Sequence, residues 1–305
     1  MKIGIQTVIA AGHVPMLDQA RAAEKAGFAA FYAGEHHHLP TATPTPPWYE
    51  ESGIPEFYKY TPDPLLTLAA VSVAAPKLMV GTAILLAPLH DTIMMASRLG
   101  TLDTICNGRS VIALGIGWNE QEFENHGVAF DTRFEKTVDQ VRAMKELWKD
   151  GAHAYSGEFV HISESWQGPK PVHKPHPPLL LGGRALKRSF RFIAELLDGW
   201  MPTDTYERIH GGNLEEQVAM LRDMTAEAGR DPDTLFNVME YADLFLFDRD
   251  PAQFAKDAPP REALERLEGL GFEQVILGVP TFSEAHFHGA IEHLQKLAEP
   301  WLNQD

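Results

Sequence analysis

The chain has 305 residues, 44% hydrophobic and 22% charged, which is enough to bury a full core. Its 26 basic and 42 acidic residues give a formal net charge of −16, which argues against nucleic acid or an anionic membrane surface as a partner. A lone cysteine, Cys106, excludes an intrachain disulfide, no apolar run approaches the roughly 18 residues of a membrane span, and no signal-peptide core opens the chain, so the expectation is a cytoplasmic, globular protein.

Short apolar runs alternate with stretches of helical period. Residues 2–8 read as a buried strand, and Met16, Ala20 and Ala23 mark one face of a helix over 14–26 that Gly27 stops. Strand two is 28–34. Asp63-Pro64, a cap followed by proline at the first helical position, opens a helix over 63–75. Strand three is 78–86, and Asp91 opens a helix over 91–106 that ends at Asn107-Gly108. Strand four, 110–115, leads to a helix over 131–149. Residues 151–178, with five prolines, interrupt the rhythm, and 155–159 read as a turn between short strands. The alternation then resumes with strands at 178–182, 197–201, about 235–247 and 272–278, and helices at 184–196, 212–229, 260–269 and 283–299. Eight strand-then-helix units predict one (β/α)8 barrel domain over 1–305, with loop insertions at about 39–62 and 151–178, after strands two and four. A doubly wound sheet is the rival. Strand one, however, lacks the Gly-rich phosphate turn that such a fold carries.

In a barrel the chemistry sits at the C-terminal ends of the strands. Gln6 and Thr7, 35–38, 83–88, 115–120, 182–184 and 202–204 stand there. Glu35-His36-His37-His38 places three imidazoles at the rim, suited to proton transfer near neutral pH, with an incidental loop entry as the plain alternative. His36-x-His38 resembles a metal-ligand pair, but strand five ends in Gly182-Gly183-Arg184 and offers no further ligand, so no metal is expected. The loop 39–62 carries six prolines together with Trp48, Tyr49, Phe57, Tyr58 and Tyr60, which suits a lid, a substrate wall or a dimer contact. Gly115-Ile-Gly117-Trp118 would let something flat approach the backbone, or form a simple turn. Gly182-Gly183-Arg184, with Lys187, Arg188 and Arg191 beyond it, reads as a phosphate site at a helix start or as a solvated cationic face.

Taken in order, Glu35-His36-His37, Gly81-Thr82-Ala83-Ile84-Leu85, Thr101-Leu102-Asp103 through Asn107-Gly108-Arg109, Gly115-Ile116-Gly117-Trp118, Glu122-Phe123, Gly127 to Phe130 with Arg133, Lys170-Pro171 through His176-Pro177-Pro178, Gly182-Gly183 and Asp198-Gly199-Trp200 resemble the luciferase-like monooxygenase superfamily of barrel oxidoreductases. The resemblance implies a flavin or deazaflavin cofactor. The stretch from Asn107 to Phe123 resembles a subgroup that uses the deazaflavin F420, whereas Glu35-His36-His37 matches the FMN-using luciferases. It further implies His36 as the acid/base group with Glu35 orienting it or the neighbouring loop, and Ala83, Ile84, Leu85, Gly117 and Trp118 around the ring. Gly182, Gly183 and Arg184 would hold the phosphate, and Ala83–Ile84 would be a cis peptide. Asp103 and Arg109 are expected to be structural. The expected function is hydride transfer between F420 and a small organic substrate. The alternatives are an FMN monooxygenase served by a separate reductase, a metal-dependent barrel hydrolase, and a cofactor carrier without turnover. A homodimer is the expected assembly.

Overall fold

The computed structural model describes residues 1–7, 13–46, 54, 58–59, 61–204, 211–242 and 251–302. Eight parallel strands form one sheet: β1 (Lys2–Thr7), β2 (Ala30–Ala33), β3 (Met79–Leu86), β4 (Ser110–Gly115), β7 (Leu179–Gly182), β8 (Gly199–Met201), β9 (Asn237–Tyr241) and β10 (Phe272–Val279). Their order is β8-β7-β4-β3-β2-β1-β10-β9, and the outer strands meet. The Phe236 amide donates to the Asp198 carbonyl at 2.7 Å, the Glu240 amide donates to the Pro202 carbonyl at 3.0 Å, and Thr203 pairs in parallel with Glu240. The Trp200 amide, lying between them, is taken by the Asn237 side chain at 2.9 Å. The sheet is thus closed into the expected (β/α)8 barrel. The second expected insertion contains an antiparallel hairpin of β5 (Ala152–Ser156) and β6 (His161–Trp166).

The strand period of two separates an inner from an outer layer. Ala30 and Tyr32, Val111 and Ala113, Leu180, Val238 and Ile276 fill the barrel, while Phe31, Ile112, Leu114 and Val275 face the helices. Around the barrel run α1 (Met16–Lys25), α2 (Pro64–Ala74), α3 (Thr92–Ile105), the short α4 (Glu120–Asn125), α5 (Arg133–Leu147), α6 (Lys187–Leu196), α7 (Leu214–Glu227), α8 (Pro251–Asp257), α9 (Arg261–Gly269) and α10 (Glu284–Leu297). The predicted caps form: Asp63 Oδ1 accepts the Leu65 and Leu66 amides, and Asp91 accepts the Met94 amide. Asp103 is buried and structural, holding the Ser110 hydroxyl at 2.6 Å and the His173 amide at 2.9 Å, while Arg109 reaches the Leu78 and Ser72 carbonyls.

The described elements differ from expectation at α6, α4 and α8. Helix α6 starts at Lys187 rather than 184, because residues 183–186 turn out of β7 before the helix begins. The short α4 and α8 escape a period-based reading, since six or seven residues hold too few repeats to register a face. Residues 243–247 of the expected seventh strand lie outside the described residues. Among the described residues no helix is long and apolar enough to cross a membrane.

Closure depends on Gly199, where an added Cβ would lie 2.0 Å from the Phe236 carbonyl oxygen. Gly199→Ala must therefore push β8 away from the chain leading into β9. The expected loss is about 1–3 kcal/mol or more, read as a lowered urea midpoint. An unchanged midpoint would show that the seam is not needed.

Candidate active site

A cavity of about 370 Å³ opens at the C-terminal ends of the strands. Its floor comes from β1 and β3. The Ala83–Ile84 peptide is cis, as expected, and the pairing of β3 with β4 slips between Thr82 and Leu85. The Gln6 amide donates to the Ala83 carbonyl at 3.0 Å. Gln6 Oε1 and Thr7 Oγ1, both buried on the cavity wall, have no hydrogen-bond partner among the described residues. Ile84 lies over two glycines: a Cβ at Gly115 would come within 2.3 Å of it and one at Gly182 within 2.6 Å. These glycines therefore make room for Ile84, which lines the cavity with Ala83. Leu85 does not line it. Residues in a strand alternate sides, and Leu85 is fully buried in the layer beneath the helices, paired with Leu114.

The histidine run divides among three environments. His36 lines the cavity, with its Nδ1 3.3 Å from both carboxylate oxygens of Glu122. Glu122 is only 1% exposed, so its carboxyl group meets the ring almost out of contact with solvent. Tyr58 and Trp118 flank His36, with centroids 4.9 and 6.1 Å away. Glu35 does not orient His36. Its Oε1 lies 3.0 Å from His37 Nε2 and 2.8 Å from His90 Nε2, and its Oε2 accepts the Leu86 amide at 2.5 Å. Glu35 therefore anchors the neighbouring loop. Burial works against its charge, but the hydrogen bonds from His37 and His90 outweigh this and hold the carboxyl at about 2. The bond to Glu35 in turn raises the His37 imidazole above its ordinary value. His38 turns to Asn125 and His126.

The opposite wall is cationic. Arg133, Arg184 and Arg188 line the cavity, and none forms an ion pair with a carboxylate among the described residues. Arg133 lies 3.6 Å over the Phe130 ring and Arg188 4.7 Å over Phe134. Burial and the nearby Arg188 lower the Arg133 guanidinium below its ordinary value, by more than Glu135, Glu120 and Asp131 raise it. Gly183 is less available than expected: its N–H is spent on the Met201 carbonyl at 3.1 Å, and its own carbonyl accepts the Trp200 indole at 2.8 Å. The open donors stand one turn further on. No side chain caps α6 at Leu186, and Arg188 and the buried Ser189 of its first turn line the cavity. Arg184 lies in the bend before α6, which leaves Lys187, Arg188 and Arg191 as the cations on the helix. Gly117, at φ +80°, lines the cavity, but its missing Cβ makes room for the Phe123 ring at 2.4 Å.

The model of the luciferase-like monooxygenase family matches residues 10–303. The chain belongs to this family. An uncharacterised protein of Mycobacterium tuberculosis is 33% identical over 278 residues, 90% of each chain. The FMNH2-dependent dimethylsulfone monooxygenase of Pseudomonas putida is 29% identical over 162 residues, 52% of this chain and 42% of that one. In solved structures the fold is shared with a monooxygenase of Streptomyces bottropensis (TM-score 0.77, 18% identity, 98% and 99% of the two chains) and an F420-dependent secondary alcohol dehydrogenase (TM-score 0.70, 18% identity, 99% of both). The family is one of oxidoreductases and monooxygenases, and these relatives include users of each cofactor.

Within this family member, Glu122 and His90 are the partners that sequence reasoning passed over. Glu122 stood in a recognised block with no role attached, 86 residues from His36, and neither period nor spacing could join them. Trp48, Tyr49, Phe57 and Tyr60 of the expected lid lie outside the described residues, while Tyr58 lines the cavity.

The Glu35 cluster makes stability depend on pH. Glu35 is lowered from 4.5 to about 2, so its contribution is complete above pH 4.5 and fades as pH falls toward 2. His37 is raised above 6.5, so its contribution is complete below pH 6.5 and fades as pH rises through the folded value. The stability difference between wild type and Glu35→Gln, from urea melts in EDTA-containing buffer, should peak between pH 4.5 and 6.5. A difference that stays flat with pH would contradict this.

Proposed function

We propose that this chain is an F420-dependent oxidoreductase that moves a hydride between the deazaflavin and a small organic substrate. The observation that carries this reading is the cationic wall. Three guanidiniums without carboxylate ion-pair partners among the described residues face one cavity in a protein of net charge −16, and Lys187 and Arg191 extend the positive charge outward along α6. An anionic cofactor would meet repulsion at long range and attraction only at this wall. The rest of the cavity fits the same group. Ala83, Ile84, Leu181 and Met201 supply an apolar slot, and Gln6 Oε1 and Thr7 Oγ1, which have no partner among the described residues, can bond a polar ring edge. The phosphate would lie at the first turn of α6, against Ser189 and the Arg188 amide.

When bound, the deazaflavin supplies two-electron hydride chemistry. The protein moves the accompanying proton. His36 donates Nδ1–H to Glu122, which leaves Nε2 as the nitrogen that exchanges a proton with substrate. For an alcohol, His36 takes the hydroxyl proton as the adjacent carbon gives up hydride, and it returns that proton in the reverse direction. Tyr58 and Trp118 pack beside the imidazole and limit the access of water. An FMN-dependent oxygenation is the second reading, favoured by the identity with the FMNH2-dependent relative. It uses the same slot and the same phosphate position.

Titration of the purified protein with F420 and with FMN at low and high salt tests the choice. Tighter F420 binding that weakens steeply with salt is expected, and tighter FMN binding would replace the first reading with the second. Arg188→Ala should weaken binding about tenfold or more, at the cost of one charge-assisted contact. Unchanged affinity would remove Arg188 from the site.

His36→Ala should lower turnover by about 10²–10⁴ while cofactor affinity stays near that of wild type. Near-normal turnover in this variant would exclude His36 as the acid/base group.

A further inference from the structure

Behind the cavity wall, three side chains converge, and a fourth stands beside one of them. Glu35 Oε1 has His90 Nε2 at 2.8 Å and His37 Nε2 at 3.0 Å, and Asp63 Oδ2 lies 3.6 Å from His37 Nε2. The ligand atoms of Glu35, His37 and His90 all lie within 4.8 Å of one another. Neighbouring ligands placed about 2.0–2.1 Å from a tetrahedral zinc ion would be separated by about 3.4 Å, and the neighbour spacings from His90 to Glu35, Glu35 to His37 and His37 to Asp63 bracket that value.

Each carboxylate is held so that one oxygen is spoken for, while the other faces His37, and in Glu35 also His90. Glu35 Oε2 accepts the Leu86 amide, which leaves Oε1 inward. Asp63 Oδ1 accepts the Leu65 and Leu66 amides at the start of α2, which leaves Oδ2 inward. His90 is fixed through its backbone, where its amide donates to Ala87 and its carbonyl accepts the Gln140 side chain. Metal ligands oriented by a second layer of hydrogen bonds have this character. Two carboxylates also balance the charge of one divalent ion held by two neutral imidazoles.

We propose that Glu35, His37, His90 and Asp63 form a binding site for one divalent transition-metal ion of the zinc class. Two nitrogens and two oxygens suit that class better than magnesium or calcium, which favour all-oxygen sites. On binding, each Nε2 gives up the proton now shared with Glu35, to Nδ1 of the same ring when the ring is neutral and to solvent when it is protonated, and the freed lone pairs of the two neutral imidazoles take the ion. His37, His90 and Asp63 do not line the cavity, so the ion has a structural role. It fastens the beginning of the long β2–α2 segment, at Glu35 and His37, to the end of that segment at Asp63, and both to the turn after β3. No step of the hydride chemistry depends on it.

The test uses the full-length, untagged protein, stripped with EDTA and then dialysed. Titration with Co²⁺ should produce the visible absorption of a four- or five-coordinate ion, saturating at one per chain and abolished by Zn²⁺, and Zn²⁺ should raise the melting temperature. Asp63→Asn keeps the cap on α2, and His90→Gln keeps a donor for Glu35, so both variants can fold. Each should weaken Zn²⁺ binding by about tenfold or more. Absence of cobalt absorption together with an unmoved melting temperature in the wild type would show a closed hydrogen-bonded cluster and overturn the proposal. Wild-type affinity in both variants would place the metal elsewhere and overturn it equally.

Discussion

Eight parallel strands can satisfy their backbone groups only if the outer two find each other, and here that meeting happens over a few residues. The amides of Phe236 and Glu240 reach the carbonyls of Asp198 and Pro202, and the Asn237 side chain catches the Trp200 amide in between. Strand β8 has only three residues, so the seam relies on this side-chain bond and on a glycine that lets the backbones approach. Once the ring is closed, every strand ends at the same mouth. Groups far apart in sequence then share one cavity: Gln6 from β1, His36 beyond β2, Ile84 in β3 and Arg188 after β7. A sheet open at β8 and β9 would leave Met201, Thr203 and Glu240 on an exposed edge instead of on the cavity wall.

The polarity of the cavity follows from what surrounds it. On one side, Glu122 and Glu35 are buried carboxylates with imidazole partners, and their charge is used locally. On the other, Arg133 and Arg188 lie over phenylalanine rings and Arg133 meets the Gly117 carbonyl, so their charge remains available. Low dielectric strengthens both arrangements. An overall charge of −16 thus coexists with an anion-seeking wall, because net charge acts at long range and the wall at contact distance.

Three adjacent histidines show how little a run of like residues says about role. His36 meets Glu122 across the mouth, His37 folds back on Glu35, and His38 reaches α4. Successive residues of a non-helical chain point in different directions, and each imidazole finds whichever partner the barrel brings there. Glu35, adjacent in sequence to His36, bonds the other two members of its cluster instead.

Much of the fold was legible in residue order. Alternating strand and helix periods predicted the barrel, Asp63-Pro64 and Asp91 predicted helix starts, and residues 155–159 predicted a turn between short strands. These are local signals: a period, a cap or a turn depends on residues within a few positions of each other. The resemblance of ordered blocks pointed to the cis bond at Ala83–Ile84 and to His36 at the mouth. What only the tertiary structure decided was contact across the barrel. It joined Glu122 to His36 and His90 to Glu35, turned Leu85 away from the cavity, and spent the Gly183 backbone on β8. It also gave Gly115 and Gly182 a common purpose beneath Ile84, and moved the open amides to the first turn of α6. The physical reason is sequence separation. A side chain's partner is set by where closed strands place it, and Glu122 stands 86 positions from the imidazole it holds.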